Sequence, residues 1–200
     1  MAPVTDFEIR PAEPGDADAV LQVIRAAFGA AGPAEGDRVA DLWAEVRAGD
    51  HLLAERVAVV DGRVAGHVGV SHCWVDARRE LVSACMLSPL STLPEYQGGG
   101  IGTALVAAAI EAARGLGRPA LFLEGSPAYY GSRGFETASA HGFEPPTPRV
   151  PAPAFQVVLL GDQPDWLTGR VVYPEVWWRH DSSGLRDPDL AEVEAALGIS

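Results

Sequence analysis

The sequence predicts an α+β domain with a mixed, mostly antiparallel central sheet, and three observations lead to this fold class. Two strand-like segments, Glu55–Val60 and Val64–Val75, flank Asp61-Gly62, a pair that suits a two-residue hairpin turn. A third strand-like segment, Leu81–Leu93, is followed by a glycine loop, a long helical pattern and another strand. Because hairpins precede this single β-α-β crossover and no β-α units repeat, a doubly wound parallel sheet is disfavoured.

One short strand and two helices are expected before the hairpin. Phe7–Arg10 has the character of a short strand and leads into a proline turn. Asp16 is expected to cap a helix whose apolar residues recur at helical spacing as far as Phe28. Asp37 is expected to cap a second helix that closes at Gly49, with a loop of small residues separating the two helices.

After the third strand, the chain alternates between helical and extended patterns. The long helix is expected over Gly100–Gly117, and Ala120–Leu123 should then run parallel to the strand that precedes the helix. Ser126–Ser132 predicts a short helix with Pro127 at its first position. The later elements expected are strands at Phe155–Leu160 and Leu167–Tyr173 and an acidic terminal helix over Pro188–Leu197.

Composition narrows the class of function. The formal net charge of -12 argues against binding to nucleic acid, whose phosphate backbone attracts the opposite charge. No apolar run is long enough to cross a bilayer, and the N-terminal residues lack the pattern of a signal peptide. A cytoplasmic protein without a membrane partner is the simplest interpretation. Cys73 and Cys85 are then expected to be reduced, buried thiols.

The glycine loop is the first candidate for a functional site. A strand, a loop containing Gly98, Gly99 and Gly100, and a helix that starts at once would direct unpaired backbone N–H groups at an anion. A dinucleotide-binding Rossmann unit is one alternative. It is disfavoured because Thr103 stands where the third glycine of that motif would be, and because Pro94–Gln97 separates the strand from the glycines.

The loop sequence Gln97-Gly-Gly-Gly100-Ile-Gly102 matches the pattern Gln/Arg-x-x-Gly-x-Gly/Ala. On this motif the chain, over about residues 5–173, resembles the GNAT-superfamily N-acetyltransferases. It is most similar to the bacterial branch whose signature combines three pieces in order. Those pieces are found here at Pro89–Gly102, Pro127–Phe135 and Gly169–Tyr173. The resemblance implies helices on both faces of the sheet and acetyl-CoA as the acetyl donor, bound at the β-α-β crossover.

The resemblance also implies how the donor is held. The pyrophosphate of acetyl-CoA would be bound by the backbone amides of Gln97, Gly98, Gly99, Gly100, Ile101, Gly102 and Thr103. The pantetheine arm would pair with backbone groups of Leu90, Ser91 and Thr92. Glycine suits such a loop because the absence of a Cβ lets the amide groups approach phosphate oxygens closely.

Proton transfer needs an acid and a base. The sequence offers a clear candidate for the acid but several weaker candidates for the base. The resemblance implies that Tyr130, four residues before Gly134, protonates the leaving thiolate, whereas Tyr129 would pack beside it. The expected glutamate on the preceding strand is missing, since Cys85–Leu93 contains no acidic residue. Deprotonation of the amine would then pass through water. The candidate relays are Glu124, His67 and His72, and Ser88 could order the water.

The histidines and cysteines do not have the spacing of a common zinc site, so no metal is expected. The predicted activity is acetyl transfer from acetyl-CoA to a primary amine of a small molecule or a peptide, by direct attack in a ternary complex. The alternative is a non-catalytic acyl-CoA-binding or sensor protein on the same fold. The expected domain covers residues 1–173, with 174–200 as a C-terminal extension that carries Trp177-Trp178, and a homodimer is consistent with the family.

Overall fold

The computed structural model describes residues 6–199, so residues 1–5 at the start of the predicted domain and residue 200 lie outside it. The chain forms two compact units. The first contains residues up to 71 together with 87–116, and the second contains residues 72–86 and 117 onward. The pairing of the strands is mixed and mostly antiparallel, which confirms the predicted α+β fold class.

The first unit carries three helices and the N-terminal strands. Its elements in chain order are β1 (Glu8–Pro11), α1 (Ala17–Phe28), α2 (Pro33–Ala48), β2 (Leu52–Val60), β3 (Arg63–Ala77), β4 (Leu81–Thr92) and α3 (Ile101–Gly115). Strands β3 and β4 are long and continue into the second unit. Strands β1, β2 and β3 pair antiparallel, and the hairpin turns at Asp61-Gly62, whose φ angles of 48° and 76° are both positive, as a type I′ turn requires.

Two glycines of β3 show how helices cover opposite faces of this strand. A Cβ on Gly66 would lie 2.7 Å from the Ile101 side chain of α3, whereas a Cβ on Gly69 would clash with the Trp43 ring of α2. Residues 66 and 69 are an odd number of positions apart and therefore face opposite sides of the strand. The absence of two side chains thus lets α2 and α3 pack closely on the two faces.

Neither of the two predicted aspartates caps its helix through its side chain. Asp16 does stand at the N-terminal end of α1, but its carboxylate forms no cap bond and instead accepts hydrogen bonds from Arg10 and from the N–H of Glu13. Asp37 lies inside α2, because that helix already begins at Pro33. Proline is well suited to a first helical position, since the N–H that it lacks would have no partner there. The predicted end of the helix at Gly49 is confirmed.

The second unit continues the sheet and adds short elements. Its elements are β5 (Ala120–Glu124), α4 (Pro127–Tyr130), β6 (Glu136–Thr137), β7 (Phe143–Glu144), β8 (Phe155–Leu159), β9 (Gly169–Val172), α5 (Glu175–Arg179) and α6 (Asp189–Leu197). Strand β5 runs parallel to β4, as predicted, through the pairs Cys85–Leu121 and Met86–Phe122, and it runs antiparallel to β8. The two-residue strands β6 and β7 and the helix α5 were not predicted, because segments this short carry no periodicity.

Aromatic packing organises the core of the second unit. The Phe122 ring stacks on Phe155 at 5.6 Å and meets the edge of Phe143 at 5.0 Å. In the C-terminal extension, Trp177 is only 2% exposed, whereas Trp178 is 42% exposed and donates from Nε1 to the carbonyl of Tyr173. The first tryptophan of the pair is therefore part of the core. Within residues 6–199, no helix is long and apolar enough to cross a membrane.

Candidate functional site

The glycine loop has the conformation that an anion site requires. Gly98 and Gly100 have φ angles of 76° and 93°, and a Cβ at either position would meet nothing within 4 Å. The positive φ angles call for glycine, and the open space next to both residues leaves room for a ligand. Gly100 is the N-terminal cap residue of α3, so the positive end of the helix dipole lies at this loop.

Only part of the loop's backbone is available for binding. The N–H of Gln97 donates to the Pro94 carbonyl at 3.3 Å, and the N–H of Gly99 donates to Tyr96 at 3.4 Å. Within the described chain, the N–H groups of residues 98, 100, 101 and 102 donate to no backbone carbonyl. The Gln97 side chain braces the loop by donating from Nε2 to the Thr92 carbonyl. The sequence did not distinguish amides that shape the turn from amides that face outward.

Ser91 adds a second polar group to this region. It lies on β4 next to Leu90 and Thr92, is 3% exposed, and its Oγ has no hydrogen-bond partner among the described residues. A buried hydroxyl without a partner is costly unless a ligand or water satisfies it. The loop and this strand therefore offer the unpaired N–H groups and the hydroxyl that a phosphate-bearing, amide-containing ligand such as acetyl-CoA would use.

Glu124 ends strand β5. Its Oε2 accepts a hydrogen bond from the Gly184 N–H at 3.1 Å, and its Oε1 is buried without a hydrogen-bond partner in the described part of the chain. Burial raises the pKa of Glu124 to about 7, although nearby Tyr173, the Gly184 N–H and the Arg149 charge partly offset the effect of burial. A carboxyl group with a pKa near 7 is suited to act as a base at neutral pH.

Tyr130 ends helix α4, which follows β5 after a two-residue connection. Its ring packs so closely on Gly125 that a Cβ there would clash with it, and it meets the edges of Tyr129 at 4.9 Å and Phe135 at 5.7 Å. Burial is the main reason that the pKa of Tyr130 is raised, with Tyr129 adding to the effect. The phenol therefore stays protonated at neutral pH, as a proton donor must.

Tyr129 differs from its neighbour in its surroundings. The Arg133 guanidinium lies 3.6 Å from the centre of the Tyr129 ring, and it also donates to the Tyr129 carbonyl. This contact holds the turn at residues 129–133 together. The expectation that Tyr129 is a packing residue fits these contacts.

His67 is a member of a buried polar cluster in the first unit. It is 0% exposed, and its Nε2 lies 2.9 Å from Oε1 of Glu55, which also accepts a hydrogen bond from Trp43 Nε1 at 2.7 Å. Arg47 Nε lies 3.1 Å from the other Glu55 oxygen. Burial lowers the pKa of His67, and Glu55 offsets only part of this shift. We assign the neutral tautomer with the proton on Nε2, because Nδ1 has no partner among the described residues.

This cluster argues against His67 as a proton relay, since its polar contacts are internal and no solvent reaches it. His72, the other candidate, is half-buried, and its ring meets the edge of Trp74 at 4.3 Å. The sequence did not single out Glu55, although it lies two positions from the residue that pairs with His67. Glutamate in a strand carries no signal until the register of the hairpin is known.

The two cysteines are buried, and potential metal ligands are dispersed in the described part of the chain. Cys73 and Cys85 are buried free thiols, as predicted, and burial raises the pKa of both. Neither is therefore a thiolate nucleophile at neutral pH. Among the residues that the structure describes, no three His, Cys, Asp or Glu side chains are grouped to hold a metal ion.

Comparison with known proteins identifies the family. Residues 8–138 match the family model described as "Acetyltransferase (GNAT) domain". The chain is 29% identical over 171 residues to the uncharacterized N-acetyltransferase YjhQ of Escherichia coli K12, covering 84% of this chain and 92% of that protein. It is 32% identical over 169 residues to the uncharacterized N-acetyltransferase YhbS of Escherichia coli O157:H7, covering 84% and 96% of the two chains.

Solved structures agree with the sequence relatives. The crystal structure of YhbS from Escherichia coli in complex with CoA has a TM-score of 0.77 and 31% identity, and the match covers 90% of this chain and 96% of that one. A GNAT family acetyltransferase from Brucella melitensis in complex with acetyl-CoA has a TM-score of 0.69 and 28% identity, covering 86% and 98%. The chain belongs to the GNAT acetyltransferase family.

Proposed function

We propose that this protein transfers the acetyl group of acetyl-CoA to a primary amine, by direct attack of the amine in a ternary complex. One observation supports a catalytic role for this chain in addition to its membership of the family. A carboxyl group with a pKa near 7, Glu124, and a protonated phenol, Tyr130, lie on consecutive elements, and the Tyr130 ring packs against Gly125, the residue that follows Glu124. The two side chains supply the base and the acid that acetyl transfer requires.

Binding of the donor is assigned to the first unit. The N–H groups of residues 98 and 100–102 would hold the pyrophosphate, and Leu90, Ser91 and Thr92 would contact the pantetheine arm. Support comes from the open, positive-φ glycine loop, from the unpartnered Ser91 hydroxyl, and from the two similar structures that contain CoA or acetyl-CoA. Acetyl-CoA supplies an activated acetyl thioester. Backbone N–H groups suit the charge of a phosphate because they need not move on binding.

The remaining steps belong to side chains of the second unit. Ionised Glu124 would accept a proton from the incoming ammonium, directly or through one water, and leave a neutral amine able to attack. Attack forms the C–N bond, and the C–S bond breaks as Tyr130 donates its proton to the departing sulfur. The nitrogen still carries an extra proton after attack, and this second proton would return to the Tyr130 oxygen. The raised pKa of Glu124 makes it basic enough for this task without leaving it protonated throughout the neutral range.

The test is acetyl-CoA turnover against a panel of primary amines, with Tyr130→Phe beside the wild type. We expect the variant to lose about 10²–10⁴-fold in kcat, the contribution of a general acid, while acetyl-CoA binding stays unchanged. Tyr129→Phe is the matched control, because it removes a neighbouring hydroxyl from the same helix and should retain activity. Full activity of Tyr130→Phe would remove the acid role from this residue.

The alternative of a non-catalytic acyl-CoA-binding or sensor protein makes a different prediction in the same assay. Calorimetry would detect acetyl-CoA binding, but no amine of a broad panel would be acetylated. The cytoplasmic location, the boundary between residues 1–173 and 174–200, and the homodimer also stay predictions. Chromatography with light scattering measures the assembly, and it should give twice the 21.0 kDa mass of the chain for a homodimer.

A further inference from the structure

A cavity of about 430 Å³ lies within the second unit. Its wall is built from the end of β5, the start of α4, the segment around residues 149–154, the turn at 184–185 and one side of α6. A volume of this size lies in the range of about 300–1,000 Å³ that small-molecule sites occupy. Helix α6 contributes Val193, Ala196 and Leu197 to the wall, so the C-terminal extension is part of the enclosure.

The surface of the cavity is mainly hydrocarbon. The apolar side chains along it are Pro127, Val150, Pro151, Ala154, Leu185, Val193, Ala196 and Leu197. Apolar walls favour a ligand with an apolar body, because contact with them removes hydrocarbon surface from water. They disfavour a polyhydroxylated ligand such as an aminoglycoside, whose hydroxyls would lose hydrogen bonds to water without replacement.

Two charged residues, Glu124 and Arg149, interrupt this apolar lining. Glu124 Oε1 and Arg149 Nη1 are both buried, and neither has a hydrogen-bond partner among the described residues. Arg149 Nη1 forms a loose ion pair with Asp181 at 3.7 Å, a separation too long for a hydrogen bond. Asp181 is also held at 2.6 Å by Arg186. One buried acceptor and one buried donor thus remain unsatisfied beside the same cavity.

We propose that this cavity binds a free amino acid with an apolar side chain, whose ammonium group pairs with Glu124 and whose carboxylate pairs with Arg149. A zwitterion satisfies both unpartnered atoms at once with charge-assisted hydrogen bonds. A simple alkylamine or a polyamine would leave Arg149 Nη1 without a hydrogen-bond acceptor and would place a second positive charge near it. The inference rests on the proposed function in one respect, since the amine bound at Glu124 would be the acetyl acceptor.

Calorimetry without acetyl-CoA tests the cavity independently of catalysis. The probes are L-leucine and L-phenylalanine, each with the matched amine that lacks the carboxylate (isopentylamine, phenethylamine) and the matched acid that lacks the amine (4-methylpentanoate, 3-phenylpropionate). We expect at least one amino acid to bind at least tenfold more tightly than both of its analogues, since each analogue loses a charge-assisted pair. Equal or tighter binding of the amine, or no binding of either amino acid, would overturn the proposal.

Two variants locate the binding to these side chains. Arg149→Gln should abolish the preference for the amino acid over the amine, and Glu124→Gln should abolish the preference over the acid. Both keep the local backbone contacts, because the Leu185 N–H bonds to the carbonyl of residue 149 and glutamine still offers Gly184 an acceptor. Arg170→Gln is the matched control, since this exposed arginine of the same unit pairs with Glu144 and does not line the cavity. Unchanged preferences in Arg149→Gln would contradict the assignment.

The outcome separates the two proposals. If amino acids bind as expected but are not acetylated, the cavity stands as their site and the proposed acceptor chemistry fails. If the protein acetylates other amines and binds neither amino acid, the acetyltransferase function stands and the cavity proposal fails. Circular dichroism and thermal unfolding of each variant identify any loss of binding that comes from loss of the fold.

Discussion

Glu55 in the first unit and Glu124 in the second are both enclosed glutamates, yet their pKa values move in opposite directions. For each, burial is the largest single influence and acts to raise the pKa. At Glu55 the hydrogen bonds from His67 and Trp43 and the charge of Arg47 outweigh burial, so the pKa is lowered. At Glu124 the offsetting contacts are weaker, and the pKa rises to about 7.

One difference is the number of donors that meet each carboxylate. Glu55 receives His67 and Trp43 on one oxygen and Arg47 on the other, so every oxygen is used. Glu124 receives one backbone N–H on Oε2, and no donor among the described residues meets Oε1 with full hydrogen-bond geometry, although the nearby Tyr173 hydroxyl helps to lower the pKa of Glu124. A fully paired carboxylate stabilises the fold, whereas an underpaired one is available for a proton or a ligand.

The largest effect that tests this contrast is expected from Glu55→Ala. The substitution leaves His67, Trp43 and Arg47 without their shared acceptor in a buried site. We expect the free energy of unfolding to fall by about 3–5 kcal/mol, the cost of removing one partner of a buried charged network. Urea denaturation followed by circular dichroism measures it. Glu111→Ala, which breaks an exposed pair with Arg114, is the control and should change stability by less than about 0.5 kcal/mol.

A smaller loss is expected from Trp43→Phe. Phenylalanine keeps an aromatic ring over Gly69 but removes the indole N–H that donates to Glu55 at 2.7 Å. Loss of a hydrogen bond to a charged acceptor should cost about 1.5–3 kcal/mol of unfolding free energy. The same denaturation experiment measures it. If Glu55→Ala and Trp43→Phe proved additive in the double variant, the two side chains would not be coupled.

The smallest change in stability is expected from Glu124→Gln, and it has the opposite sign. As pH rises from the ordinary value of 4.5 to about 7, the unfolded chain releases this proton before the folded one does, so the wild type loses stability. Glutamine has no proton to lose. The variant should therefore gain about 1 kcal/mol relative to the wild type by pH 8, discounted for partial solvent access, and nothing near pH 4.

Two measurements check this prediction. Unfolding free energies at pH 4, 6 and 8 give the stability difference, and kcat/KM against pH should lose its rising limb near 7 in the variant. Glu55→Gln is the matched control. Because the folded pKa of Glu55 is lowered, its stabilising contribution is present above about pH 4.5 and is lost as pH falls through the folded pKa. A stability loss in Glu124→Gln at pH 8 would break the contrast between the two sites.

Local sequence signals predicted much of the fold. Asp61-Gly62 predicted a turn that the structure confirms, and Pro127 and Gly49 predicted a helix start and a helix end in the right places. These signals work because proline fixes φ and lacks an N–H, whereas glycine adopts backbone conformations that other residues avoid. Asp37 misled because Pro33 gave an equally good helix start four residues earlier.

The polar cluster around Glu55 depended on register, which the turn alone does not fix. An irregularity between Ala58 and Val59 shifts the pairing of β2 and β3 by one residue beyond the turn. That shift pairs Val57 with His67 and Glu55 with Gly69, which places Glu55 and His67 on one face. A one-residue difference in register would have moved every side chain to the other face.

By itself, the sequence determined the glycine loop and the order of the longer elements, and the family motif in it singled out Tyr130 as the candidate acid, because each of these is encoded in a few adjacent residues. Only the tertiary structure decided which glutamate is paired and which is not. Glu124 meets Gly184 across 60 residues of chain, and the cavity beside it needs α6 from the C-terminal extension. The pKa of a carboxyl group is set by burial and by donors that folding brings together from distant segments, and such contacts leave no local pattern in the sequence.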